Sequence, residues 1–255
     1  VEKSARYGKY TQYVPANLKT PIRLVVIAHG TPGGTDTTGL GAATVFIQRW
    51  VEAAEQHGVI LVAPAFDQPN FGGIAGPAGG YRGMWGREVN ADVFVNAIIH
   101  KYTVAYPGYD GRIYLFGHSA GGQFASRYLV THPDRIVAAV MTAAGTFAYP
   151  NPDAAWTAGM GRYQRADLWG RAVDYQPDPE GWLKAAVLPV TAIVGALDDA
   201  AHTGGAKDWV DQMNAYAAKH GKTGRVKLEL VPGIGHNSGK LTPSAIAALL
   251  GRAEA

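Results

Sequence analysis

The sequence predicts an α/β fold in which a mostly parallel sheet is covered by helices on both faces. Three observations carry this expectation. Strand-like and helix-like segments alternate along most of the chain, several strand-like runs are apolar on both sides, and a glycine-flanked serine falls between one strand and the next helix. Crossover helices bury both faces of a parallel sheet, so its strands read as near-continuous apolar runs and not as alternating ones.

Tyr10 to Pro15 and Ile22 to Ala28 are β-branched and aromatic runs parted by a turn-like stretch around Asn17 and Pro21. From Ala42 to His57 the apolar positions Val45, Phe46, Ile47, Trp50, Val51 and Ala54 recur at helical spacing, and Gly58 stands where a C-terminal cap belongs. The alternation continues with a strand at Val59 to Ala63, a helix at Val89 to Tyr106, a strand at Arg112 to Phe116 and a helix at Ala120 to Thr131. Strands at Ile136 to Thr142, Val190 to Val194 and Val226 to Val231, with helices at Asp208 to His220 and Ser244 to Arg252, complete the series. Two stretches break the rhythm and are too long for ordinary connections: residues 68–86, rich in glycine, and residues 147–182, which carry Pro150, Pro152, Pro177 and Pro179. Substrate-binding or lid insertions are expected there.

The chain of 255 residues, 47% hydrophobic and 17% charged, suits one folded α/β domain spanning 1–255. A formal charge of +3 is too small to suggest nucleic acid as a partner, although a mild basic bias suits an anionic ligand. No apolar run reaches the roughly 18 residues of a membrane span. Cysteine is absent, which excludes a disulfide framework and a thiolate metal site. The opening at Val1 is compatible with a processed amino terminus, and a secreted or periplasmic location is expected; a homodimer is compatible with the sequence.

Gly117-His118-Ser119-Ala120-Gly121 matches G-x-S-x-G in the context that gives this motif its meaning, after a strand and before a helix. The sharp turn exposes the serine hydroxyl and has no room for a Cβ at the flanking positions. A hydroxyl at neutral pH is a weak nucleophile, so a base and a group to orient that base must come from downstream. Asp198 and Asp199 follow the Val190 to Val194 strand, and His236 follows Val226 to Val231 behind Gly233 and Gly235. Ser119 is therefore the expected nucleophile, His236 the base and Asp198 the acid, with His202 the second choice of base and Asp199 read as a loop or helix-capping group. His118, next to the nucleophile, is expected to point away from it. The backbone N–H of Ala120 and of Thr31, in the His29-Gly30-Thr31-Pro32-Gly33-Gly34 loop, are the expected oxyanion donors, because Pro32 has no N–H to give. No cofactor or metal is expected: no pair of histidines has metal-site spacing, and Gly221-Lys222-Thr223 resembles the end of a phosphate loop but has Tyr216 where its first glycine belongs.

In their order and spacing, His29-Gly30, Gly117-His118-Ser119-Ala120-Gly121, Gly195-Ala196-Leu197-Asp198 and Gly233-Ile234-Gly235-His236 resemble the α/β-hydrolase superfamily across nearly the whole chain. The opening through Leu24-Val25-Val26-Ile27-Ala28-His29-Gly30 looks most like secreted esterases related to polyhydroxybutyrate depolymerases and feruloyl esterases. Those enzymes often carry a cysteine after the His-Gly pair, where this chain has Thr31. The cysteine-free, basic character also resembles bacterial poly(aspartic acid) hydrolases. The resemblance implies a serine hydrolase acting on an ester or amide, and a depolymerase of an extended polymer such as poly(aspartic acid). Arg82, Arg87, Arg162, Arg165 and Arg171, with Trp85, Trp156 and Trp169, lie in the two long segments and are the expected substrate contacts. A non-catalytic binding module on the same fold is the rival from another class.

Overall fold

Leu24, Val26 and Ala28 belong to one apolar cluster and Val25 and Ile27 to another, so a single five-residue strand has its two faces in two cores. The computed structural model describes residues 1–33, 35–72, 80–167 and 169–251. The chain opens with β1 (Glu2–Ala5) and β2 (Gly8–Tyr13), then β3 (Leu24–Ala28), α1 (Leu40–His57), β4 (Ile60–Pro64), the short α2 (Gln68–Phe71) and α3 (Ala91–Ala105). Next come β5 (Ile113–His118), α4 (Ala120–Thr131), β6 (Ile136–Thr142), a hairpin of β7 (Tyr163–Ala166) and β8 (Ala172–Tyr175), and α5 (Glu180–Ala186). The chain then runs through β9 (Val190–Gly195), α6 (Ala200–Lys219), β10 (Val226–Val231) and α7 (Ser238–Leu250).

Eight strands form one sheet in the order β1-β2-β4-β3-β5-β6-β9-β10. β1 and β2 join antiparallel at one edge, and the other six run parallel. α1 and α7 cover one face through Phe46, Ile47, Trp50, Leu241 and Leu249; α3, α4, α5 and α6 cover the other through Phe94, Ile98, Phe124, Tyr128, Trp182 and Trp209. This is the expected α/β-hydrolase architecture. With six strands parallel, their carboxyl ends share one rim, and the loops that follow β3, β5, β9 and β10 meet there.

Most elements fall where the sequence places them, and the differences have physical causes. β1 is an exposed Glu-Lys-Ser-Ala run that is a strand only because it registers against β2. α6 begins eight residues before the expected Asp208, because the Asp199 side chain caps its amino end and extends the helix through Gly204 and Gly205. α7 begins at Ser238, capped by the Asn237 side chain, and carries Pro243 in its second turn. A proline there forfeits one early backbone bond, which the buried Leu241, Ala245 and Leu249 outweigh. The expected end of that helix at Arg252, and residues 73–79 of the first long segment, lie outside the described residues. Among the described residues, no helix is long and apolar enough to cross a membrane.

Candidate active site

Ser119 stands alone between β5 and α4 with φ 52° and ψ −115°. A non-glycine residue held there stores on the order of 1–3 kcal/mol, so its surroundings must impose the geometry. The Ser119 N–H donates to Thr142 O at 2.8 Å, and the Gln123 N–H donates to Ser119 O at 3.0 Å, tying the turn to β6 and to the first turn of α4. A Cβ on Gly117 would stand 2.2 Å from Gly121 O, and one on Gly121 only 2.0 Å from Ala28 O. Helix, strand and turn can approach this closely only without those carbons. Gly121→Ala is therefore expected to lower the melting temperature by roughly 5 °C or more, from an overpacking cost of about 2 kcal/mol or more, as read by thermal denaturation. An unchanged melting temperature would mean that the turn can relax away from β3.

The loops that carry Asp198 and His236 form one block. Ala196 N–H donates to Val231 O at 2.9 Å and Leu197 N–H to Ile234 O at 2.8 Å, while a Cβ on Gly195 would strike Ile234 O at 2.2 Å. From this block Asp198 Oδ2 lies 3.0 Å from His236 Nδ1, and His236 Nε2 lies 3.1 Å from Ser119 Oγ. The Asp198 side chain is only 3% exposed and the His236 side chain 39%. With Nδ1–H donated to the carboxylate, the Nε2 lone pair faces the hydroxyl, which is the tautomer a general base requires.

Asp199 has the other duty. Its Oδ1 accepts the His202 N–H at 2.9 Å and caps α6; that backbone bond is the main reason its carboxyl sits below the usual range. The His202 ring packs 4.7 Å from the His236 ring but has no bond to Ser119. His118 does not reach the serine hydroxyl either, in line with expectation. It is buried with Nδ1 2.8 Å from Thr142 Oγ1, and its ring lies 5.2 Å from that of His236. Burial, then the nearby His236, Arg49 and His202, push its pKa down to about 3. It therefore adds no positive charge beside His236 at neutral pH.

Ala120 opens α4, where N–H groups have no preceding helical carbonyl. The other expected donor loop runs beside Ser119, since a Cβ on Gly30 would stand 3.5 Å from Ser119 Cβ. His29 fixes the start of that loop: Nε2 accepts the Phe66 N–H at 3.2 Å, which leaves Nδ1 to donate to Gly30 O at 2.7 Å. Burial lowers the His29 pKa and keeps the ring neutral. Arg82 Nη2 donates to Thr31 Oγ1 at 2.6 Å, which brings one guanidinium to the edge of the site.

The remaining expected substrate contacts separate into two groups. Arg87 and Arg165 are exposed and Trp169 is half-buried, its ring 5.4 Å from the Arg171 guanidinium. Trp85 and Trp156 are instead core side chains, 5% and 2% exposed, covered by Tyr163 in one case and by Tyr175 and Trp182 in the other. With their ring faces packed they have none to offer a substrate, which corrects that expectation. Arg162 is held by both oxygens of Asp174, at 2.6 and 2.5 Å. Arg171 pairs with the buried Asp167 at 2.6 Å and donates to Gly86 O and Arg87 O, joining the two long segments. A free carboxylate trench built from all five arginines is therefore corrected as well, because two of them already have anions or carbonyls.

Burial alone would raise the Asp167 pKa, but bonds from Arg171 and from the Trp169 N–H outweigh it and hold the carboxyl low. A depressed carboxyl contributes stability above its unfolded pKa, and that contribution fades as pH falls through the folded one. Arg171→Ala is thus expected to melt below the parent at neutral pH, with the gap narrowing as pH falls below the usual carboxylate range. A gap that persists in acid would leave the carbonyl bonds as its source.

Sequence reasoning also missed Arg127. It is fully buried on α4 and donates to Thr157 O, Gln123 O and Thr146 Oγ1 at 3.1, 2.8 and 3.0 Å, and burial pushes its pKa down to about 9. It fastens the second long segment to the helix that follows Ser119. No local signal marks an arginine in a helix as buried.

A serine, histidine and aspartate in hydrogen-bonded series, at the carboxyl rim of a parallel sheet, define a protein of the hydrolase class. Residues 23–187 match the family model for the alpha/beta hydrolase fold, and the chain belongs to that family. Among solved structures it is similar to LpqC, a poly(3-hydroxybutyrate) depolymerase from Bordetella parapertussis (TM-score 0.72, 21% identity, 97% of this chain and 85% of that one). It is equally similar to poly(aspartic acid) hydrolase-1 from Sphingomonas sp. KT-1 (TM-score 0.73, 18% identity, 98% and 97%). A third similar fold is FphF, a fluorophosphonate-binding serine hydrolase from Staphylococcus aureus (TM-score 0.57, 16% identity, 95% and 92%). No curated protein sequence matches the chain significantly.

Proposed function

We propose that the chain is a serine hydrolase that cleaves ester or amide bonds through an acyl-enzyme on Ser119, acting on an extended polymer such as poly(aspartic acid). The observation that carries the reading is the pair of contacts from His236, 3.1 Å to Ser119 Oγ and 3.0 Å to Asp198 Oδ2, on a strained turn that presents the hydroxyl. Ser119 Oγ attacks the carbonyl carbon as its proton passes to His236 Nε2, and the Asp198 carboxylate stabilises the imidazolium. The N–H groups of Ala120 and Thr31 receive the negative oxygen, a contribution worth several kcal/mol in such sites. His236 then protonates the departing alcohol or amine, and water, activated by the same ring, frees the acid. Loss of labelling by a fluorophosphonate on changing Ser119, with turnover on some acyl substrate in the parent, tests the reading against a non-catalytic binding module.

For the polymer, support comes from the partly exposed His236 and from the fold shared with two proteins named for polymer hydrolysis. Arg82, Arg87 and Arg165 have no carboxylate partner among the described residues and would be the arginines to meet an anionic chain. If they do, the KM for polyaspartate should rise steeply from low to moderate salt, since exposed charges more than about 10 Å apart are screened at 0.1 M, while a small neutral ester should show little change. Salt-independent kinetics on polyaspartate, or no cleavage of it, would leave a polyhydroxybutyrate-type depolymerase or a small-molecule carboxylesterase. The engagement of Arg162 and Arg171 inside the protein favours that second reading. A polymer too large to enter a cell fits a secreted or periplasmic hydrolase.

A further inference from the structure

We propose that Asp198, His202 and His236 form a binding site for a zinc-class divalent cation, and that its occupancy switches the hydrolase off. Among the described residues, these three side chains bring ligand atoms within 4.8 Å of one another. Asp198 and His202 are four residues apart where α6 begins, and His236 arrives from the loop after β10. His236 Nδ1 is 3.0 Å from Asp198 Oδ2, and His202 Nδ1 is 3.5 Å from Asp198 Oδ1. A tetrahedral zinc site with bonds of about 2.0 Å has edges of roughly 3.3 Å, and each imidazole nitrogen lies near that spacing from one oxygen of the Asp198 carboxylate, which can present both oxygens to a cation.

The second observation is the state of His202 Nδ1. This nitrogen is buried and faces two carboxylates, Asp199 Oδ1 at 2.7 Å and Asp198 Oδ1 at 3.5 Å. Two carboxylates facing one imidazole nitrogen draw positive charge to it, which a bound cation supplies as a ring proton does. Two imidazoles and a carboxylate are the donor set that zinc prefers, whereas magnesium and calcium prefer oxygen alone.

Coordination at His236 Nδ1 moves the proton of the neutral ring to Nε2. The ring can then no longer accept the Ser119 proton, and the Asp198 carboxylate, bound to the cation, no longer orients it. Metal and catalysis thus compete for one nitrogen. The effect on turnover rests on the serine-hydrolase reading, whereas binding of the cation does not.

The test uses tag-free, chelator-stripped protein in a non-coordinating buffer. Zinc chloride is titrated by calorimetry and, in parallel, against hydrolysis of a small neutral ester. One zinc per chain is expected, with turnover falling by about tenfold or more at saturation and returning on addition of EDTA; magnesium chloride should do nothing. In His202→Ala, measured against its own metal-free rate, the zinc needed for half inhibition should rise on the order of tenfold or more, as for loss of a group that supports a metal site. Equal zinc sensitivity in His202→Ala and the parent would overturn the proposal, as would active protein that binds no zinc. His202-dependent binding of one zinc by a protein that hydrolyses nothing would sustain the metal site and remove the hydrolase reading instead.

Discussion

Ser119→Ala should lower turnover on the order of 10⁴- to 10⁶-fold and abolish labelling by a fluorophosphonate, while leaving the melting curve close to that of the parent. The change removes one exposed oxygen and keeps the Cβ, so the contacts of β5, β6 and α4 that hold the turn are untouched. At about 1.4 kcal/mol per decade, the expected loss is far larger than any packing effect at this position. What remains should be the catalysis that the oxyanion donors and substrate positioning supply by themselves. Substantial turnover in the variant would mean that another group attacks.

His236→Ala should cost nearly as much, and combining it with Ser119→Ala should cost little more, because nucleophile and base act as one unit. Asp198→Asn should lower turnover on the order of 10⁴-fold. The carboxylate is 3% exposed and faces Nδ1, so an amide there can present its NH₂ to the ring and stabilise the tautomer with its proton on Nε2. Asp199→Asn removes charge from a helix cap, not from the relay, and should be mild; His202→Ala should also be mild in the absence of metal. Turnover measured for the four variants separates the assignments. A larger loss at Asp199 than at Asp198, or at His202 than at His236, would transfer the role.

The sequence carries the parallel sheet and the order of Ser119, Asp198 and His236 plainly, because both rest on strong local signals. α4, β6 and β10 begin and end where apolar pattern and glycine flanks put them. Ser119, Asp198 and His236 each follow a strand, so topology delivers them to one rim even though 117 residues separate the serine from the histidine. The substrate surface was harder to read, since whether an arginine is free depends on a partner that tertiary structure chooses. Asp174 and Asp167 are visible in the same stretch as Arg162 and Arg171, but only the β7–β8 hairpin and its neighbouring turn show that they meet. Trp85 and Trp156 misled for a related reason: in a loop-rich segment an aromatic ring can serve its own small core as readily as a ligand. The Asp198–His202 spacing escaped notice because Gly204 and Gly205 disguised the first turns of α6.

The cross-link from Arg171 to Gly86 O and Arg87 O bears on how such a protein can change over time. Its three attachments lie in two excursions far apart in the chain, so neither excursion is an independent cassette. Grafting the 147–182 segment into another scaffold by itself would strand a guanidinium without its carbonyl acceptors. Grafting residues 68–87 by themselves would leave the carbonyls without their donor. Exchange of specificity between relatives of this architecture should therefore succeed when both excursions travel together, and recombination breakpoints that fall between them should be selected against.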